Sequence, residues 1–125
     1  MGSSQVTGSN LRNYRVIRQN DSTNTTETTA KILTGWGFIA PGGSANHKAE
    51  TVMFAEAFQT PPIVIIGNLG EGTGPSISNQ TGASGSFMQV TAVSTTSFDA
   101  RVLSRDTTNL SAAVGFGYSW IAIGS

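Results

Sequence analysis

The chain has 125 residues, room for one domain and an arm. Seven basic and seven acidic residues cancel, and charged residues reach only 11%, against about 25% in ordinary soluble domains. No basic stripe is available to displace counterions, which argues against nucleic-acid binding. The absence of cysteine excludes a disulfide framework, a thiolate metal site and a Cys nucleophile.

Ser, Thr, Asn and Gln take the place of the missing charges, as in proteins exposed outside a cell or on a virion. The localisation expected is therefore extracellular or virion-surface. Apolar runs such as Ile63-Val64-Ile65-Ile66 fall far short of the ~20 residues that span a bilayer, so no membrane partner is expected. No apolar signal core opens the chain, and Val6 stands where myristoylation wants Ser or Thr. Display outside a cell then needs another route, phage lysis being the simplest.

Residues 1–30 read as an N-terminal assembly arm. Beyond Leu11, Tyr14, Val16 and Ile17 they hold few large apolar groups, and they run into Asn20-Asp21-Ser22-Thr23-Asn24-Thr25-Thr26. Such a segment buries too little apolar area to offset its ordering entropy alone. It is expected to dock along a neighbouring subunit, or to add a strand to its own sheet. Arg12, Arg15 and Arg18 read as solvated or interface charges rather than a nucleic-acid site.

Residues 31–125 carry the punctuation of short strands. The candidates are Lys31–Ala40, Glu50–Phe58, Pro62–Asn68, Ser86–Ser94, Thr96–Ser104 and Ala112–Ile123. Turn-formers separate them: Pro41-Gly42-Gly43-Ser44, the run from Gly70 to Pro75, and Asp106-Thr107-Thr108-Asn109. This pattern predicts an all-β sandwich with almost no helix. Alternation puts Phe116, Tyr118, Trp120 and Ala122 on one face, and Phe98, Ala100 and Val102 on one face. It also sets Phe87, Gln89, Thr91 and Val93 against Met88, Val90 and Ala92. Ile63–Ile66 is apolar on both faces, which predicts burial from two sides and hence an oligomer.

Three stretches in order then resemble a known family. They are Val52-x-Phe54-x-x-x-Phe58-x-x-Pro61-Pro62-Ile63-Val64, Val93-Ser94-Thr95-Thr96-Ser97-Phe98, and Tyr118-Ser119-Trp120-Ile121-Ala122-Ile123-Gly124. Together with Gly35-Trp36 they are similar to the H-type lectins, which include snail agglutinins and the C-terminal domain of discoidins. Related sequences occur in phage tail and bacterial surface proteins. The resemblance implies a six-stranded antiparallel β-sandwich that assembles as a parallel trimer, with sugar sites at subunit boundaries.

The family's sugar-binding positions carry over unevenly. The loop after the first strand corresponds to Gly42-Gly43-Ser44-Ala45-Asn46-His47. The basic residue of the fourth strand falls at Gln89, and the aromatic–His pair after the fifth falls at Arg105-Asp106. The stacking aromatic and the His are thus absent at those positions, so galactose-type specificity is not implied. Asn46, His47, Gln89, Arg105 and Asp106 remain the candidate ligand-binding residues. Arg105 suits a carboxylate-bearing sugar.

The other chemistry-bearing residues have plainer readings. His47, the single histidine, is an exposed loop side chain or a ligand contact. Gly67, Gly70, Gly72 and Gly74 lack the Lys-Ser/Thr and helix of a phosphate loop and read as a flexible surface loop. Asp99 and Arg101, two apart, read as a surface or inter-subunit pair. No catalytic site is expected, although Glu50, Glu56, Glu71, Asp99 and Asp106 are the acids that a glycosidase pair would need. No cofactor and no metal are expected. The leading expectation is glycan-binding attachment, on a phage tail fibre or other appendage. The alternative is a structural subunit of a virion, fibre or filament assembled through the arm.

Overall fold

A computed structural model describes residues 15–19, 25–29, 31–43, 45–77, 86–104 and 108–125. Eight strands follow in order: β1 Arg15–Gln19, β2 Thr25–Thr29, β3 Lys31–Ile39, β4 His47–Met53, β5 Ile63–Gly72, β6 Ser86–Thr91, β7 Ser97–Ser104 and β8 Gly115–Gly124. Strands β3 to β8 form two antiparallel three-stranded sheets, ordered β3-β8-β5 and β4-β7-β6. The expected all-β architecture of six antiparallel strands is what the chain adopts, with no α-helix among the described residues.

In the arm, β1 and β2 pair antiparallel with each other, from Arg15 opposite Thr29 to Gln19 opposite Thr25. Neither pairs with a strand of the two larger sheets. The rest of the 1–30 arm, Arg12 included, lies outside the described residues.

The core sits between the two sheets. Phe98, Ala100 and Val102 of β7 face Phe116, Tyr118 and Ala122 of β8, all but withdrawn from solvent. Both alternation patterns are as expected. Phe54 and Phe58 complete a ring cluster with Phe98 and Trp120, with centroids 5.0 to 5.9 Å apart, spacings typical of favourable edge and tilted pairs.

The second lectin-like stretch owes its residue types to this cluster. The Ser94 hydroxyl accepts from the N–H groups of Thr96 and Ser97, at 3.2 and 3.1 Å, and closes the β6–β7 turn. That turn offers two carbonyls outward. Phe54 N–H donates to Thr96 O and Phe58 N–H to Thr95 O, both at 2.9 Å. These bonds pull the chain out of the β4 ladder and drop both rings into the core.

Three expectations need correction. β4 runs His47–Met53 rather than Glu50–Phe58: it begins three residues earlier and ends five earlier, where the turn captures Phe54 and Phe58. β5 does not stop at Asn68 but runs to Gly72, so Gly67, Gly70 and Gly72 lie in a strand rather than a loop. The register shifts between Asn68 and Gly70, where Asn68 Oδ1 accepts from Gly70 N–H at 2.7 Å and Gly70 takes φ 105°. This is a β-bulge, and glycine accommodates its positive φ. Third, Val93 packs against the core instead of facing out with Gln89, because Ala92 at φ 52° breaks the alternation.

Tyr118 reaches across from β8 to hydrogen-bond the Glu50 carboxylate on β4, joining the two sheets. Burial, then the Glu50 hydrogen bond and charge, push its hydroxyl pKa well above the usual phenol value. An acid whose folded pKa is raised keeps its proton while the unfolded chain loses it. Stability is therefore full below about pH 10 and falls as pH rises beyond it. Alkaline denaturation followed by circular dichroism should show this decline in the native chain and a flatter one in Tyr118→Phe. Gly37→Ala would drive a methyl into the Tyr118 ring, and urea unfolding should show a loss of about 1–3 kcal/mol.

Candidate functional site

The outer faces of the two sheets differ in chemistry. Strands β3, β8 and β5 align Ile32, Ile123 and Ile63 in one row, Thr34, Ile121 and Ile65 in the next, and Trp36, Ser119 and Gly67 in a third. Ile32, Trp36, Ile63 and Ile65 are about half exposed, at 50, 47, 53 and 58%. The expectation that Ile63–Ile66 is covered on both sides thus holds on one side within a single chain: Val64 and Ile66 pack on the core, and Ile63 and Ile65 do not.

Strands β4, β7 and β6 present a different surface. Their outward rows are His47–Leu103–Phe87, Ala49–Arg101–Gln89, and Thr51–Asp99–Thr91. From strand and residue spacings, this patch measures about 10 by 14 Å, the footprint of one or two sugar rings. It holds an exposed aromatic ring, an amide, a guanidinium and a carboxylate on one face. Aromatic rings pack on the apolar side of a sugar ring, while the planar polar groups meet its hydroxyls.

The carboxylate is oriented: the Thr51 hydroxyl donates to Asp99 Oδ1 at 2.8 Å. Arg101 Nε is buried without a hydrogen-bond partner, and no acceptor among the described residues engages the side chain. Asp99 and Arg101 share the face as expected, but Asp99 is turned to Thr51 rather than paired with Arg101. A buried donor left without an acceptor carries a desolvation cost of about 1–3 kcal/mol.

Of the five candidate residues, the structure places three. Gln89 lies on this face beside Arg101. His47 opens β4 at its corner, two strands and one row from Gln89. Its Nδ1 meets Asn46 Oδ1 at 2.9 Å. With Asn46 as the acceptor, Nδ1 carries the proton and Nε2 of the neutral ring is left to accept. Arg105 and Asp106 lie outside the described residues. The backbone beside them is tied to the same corner, since Ser104 N–H donates to Asn46 O and Leu110 N–H to Ala45 O, both at 2.8 Å.

Three residues of the patch, Phe87, Arg101 and Asp99, were not among the candidates. Phe87 supplies the aromatic ring that positions 105 and 106 do not, and Arg101 supplies a cation one strand away from Gln89. The signal for Phe87 was present, because it shares parity with Gln89. Nothing in the spacing alone distinguished Arg101 from an ordinary surface charge.

Three of the acids that a glycosidase pair would need are each engaged elsewhere, and Asp106 lies outside the described residues. Glu50 is bound to Tyr118 on the inner side of β4, Asp99 to Thr51 on the outer side of β7, and Glu56 to Lys31 at 3.2 Å. Among the described residues no three His, Asp or Glu side chains converge as metal ligands. No family model matches the chain, and no curated protein matches it in sequence.

Because no described residue bonds Arg101 Nε, loss of the side chain should leave the fold intact. Arg101→Met should change unfolding free energy by less than about 0.5 kcal/mol, or raise it, in urea titrations. A loss of several kcal/mol would mean that the guanidinium has a partner.

Proposed function

We propose that this chain is a carbohydrate-binding attachment module of the H-type lectin kind, displayed on a cell or virion surface as part of a phage tail fibre or similar appendage. The observation that carries the reading is the outer face of β4-β7-β6, where Phe87, Gln89, Arg101 and Asp99 stand together on rigid strands. Strand-borne groups need little ordering when a ligand arrives, which favours weak polar ligands such as sugars. Asn46 and His47 extend the patch at one corner.

The partner for the opposite face is further copies of the same chain, most simply as a trimer. The rows of Ile32, Ile63, Ile65, Ile121, Ile123 and Trp36 contain no charged residue, so identical faces meet without repulsion. Burial of such a face gains about 25 cal/mol per Å². The same face also favours the second reading, a purely structural subunit of a virion, fibre or filament assembled through residues 1–30. An isolated two-stranded sheet such as β1-β2 is marginal in water and gains from a neighbour.

Light scattering should give a trimer for the intact chain and a smaller species for Ile65→Glu. Removal of residues 1–30 should leave the trimer in place; a monomeric product would favour the structural subunit. On a panel of bacterial and animal glycans the intact oligomer should bind, and Phe87→Ala or Gln89→Ala should weaken binding about 10-fold or more. Silence across the panel from a properly assembled oligomer would remove the carbohydrate reading.

A further inference from the structure

Arg101 occupies the middle of the outer face of β4-β7-β6, on the central strand, with Ala49 on one side and Gln89 on the other. Ala49 offers the guanidinium no polar side chain from the β4 side. Its Nε is buried and unpartnered, and Asp99, the nearest acid along the strand, gives Oδ1 to Thr51 instead. With Nε sunk into the face, the Nη groups are the part of the fork left to meet a ligand.

We infer that Arg101 selects glycans bearing a carboxylate, taking the acid group through the Nη groups of its guanidinium. The inference rests on the carbohydrate-binding reading and names its ligand class. A carboxylate matches the planar fork in geometry and in charge. The neighbouring groups narrow the choice among anions. Asp99 lies one row away on the same strand, and its charge opposes a dianionic phosphate more than a single carboxylate. Its Oδ2 is left to accept sugar hydroxyls. Gln89 donates and accepts beside the acid group, and Phe87 lies one row along for the apolar side of the ring. A uronic or sialic acid carries all three features at once: one carboxylate, several hydroxyls and an apolar ring face.

The test compares each acid with a neutral derivative of the same shape. Sialyllactose is set beside its carboxamide, and trigalacturonate beside its methyl ester, with the intact oligomer in titration calorimetry. At least one acid should bind about 10- to 100-fold more tightly than its neutral derivative. Its affinity should fall with added salt. Arg101→Gln should erase the difference, Arg101→Lys should keep part of it, and Phe87→Ala should weaken acid and derivative alike. The melting temperature of each variant should match that of the native chain.

Equal affinity for acid and derivative, or binding of neutral panel sugars alone, would overturn the carboxylate inference while leaving the carbohydrate reading standing. No binding to these probes or to any panel sugar would overturn both. A change in oligomer mass on Arg101→Gln would overturn it differently, by assigning the guanidinium to a neighbouring copy.

Discussion

The sandwich depends on the room that β3 leaves for the rings of β8. Trp120 lies over Gly35 and Tyr118 over Gly37, each glycine directly opposite its aromatic in the ladder. A methyl at Gly35 would sit 2.7 Å from the Trp120 ring, closer than packed carbons come. Here the glycines contribute flatness rather than backbone freedom. With β3 thin on its inner face, Trp120 reaches Phe54 and Phe98, and Tyr118 reaches Glu50 on the far sheet. Filling either position would push a ring off the sheet and separate the layers. The pattern of small against large residues is how a two-layer core reaches interior packing density without voids.

This interlock makes the two outer faces independent of the core and lets them diverge. Inner residues of both sheets are chosen for shape, and the ladder then fixes every outward position by parity. On β3-β8-β5 those positions went to isoleucine and tryptophan; on β4-β7-β6 they went to polar groups, with Phe87, Leu103 and Met53 among them. An exposed apolar face is uncommon on a solitary domain and marks a contact surface. The polar face has neither the dense charge of a solvated surface nor the apolar character of a packed one. A rigid sheet thus presents two unlike surfaces at opposite sides, one suited to copies of itself and one to something else.

The parts of the fold legible in the sequence were those governed by parity. The shared faces of Phe98-Ala100-Val102 and Phe116-Tyr118-Ala122 followed directly from alternation, as did the placing of Phe87 and Gln89 on one face. What was not legible depended on single backbone events. A cluster of glycines reads as a loop, yet the Asn68 side chain closes a bulge that lets β5 continue through them. Phe54 and Phe58 read as strand residues, yet the Thr95 and Thr96 carbonyls of the β6–β7 turn in the same sheet capture their N–H groups. Ala92 gave no sign of its positive φ, so Val93 was assigned to the wrong side. For the site, Gln89 and His47 came from correspondence with a lectin-like pattern. The absence of a partner for Arg101 is a property of three dimensions and has no trace in one.

A purely structural brick would make Arg101 hard to account for. Evolution of a surface that only needs solvation favours lysine or threonine in mid-strand, whose polar tips reach water freely. A guanidinium whose Nε is sunk into the face, unbonded, carries a standing desolvation cost on the central strand. Such a cost persists where the surroundings or a function sustain it. The neighbours do not recover it: Ala49 has no polar side chain, and Asp99 is bonded to Thr51. Among the described residues no acceptor reaches that Nε, and the side chain stands on a face that also offers an aromatic ring and an amide. That combination is the physical content of the attachment reading. It places the distinguishing feature of this sandwich on β7, one strand away from the position at which the lectin-like pattern alone would look.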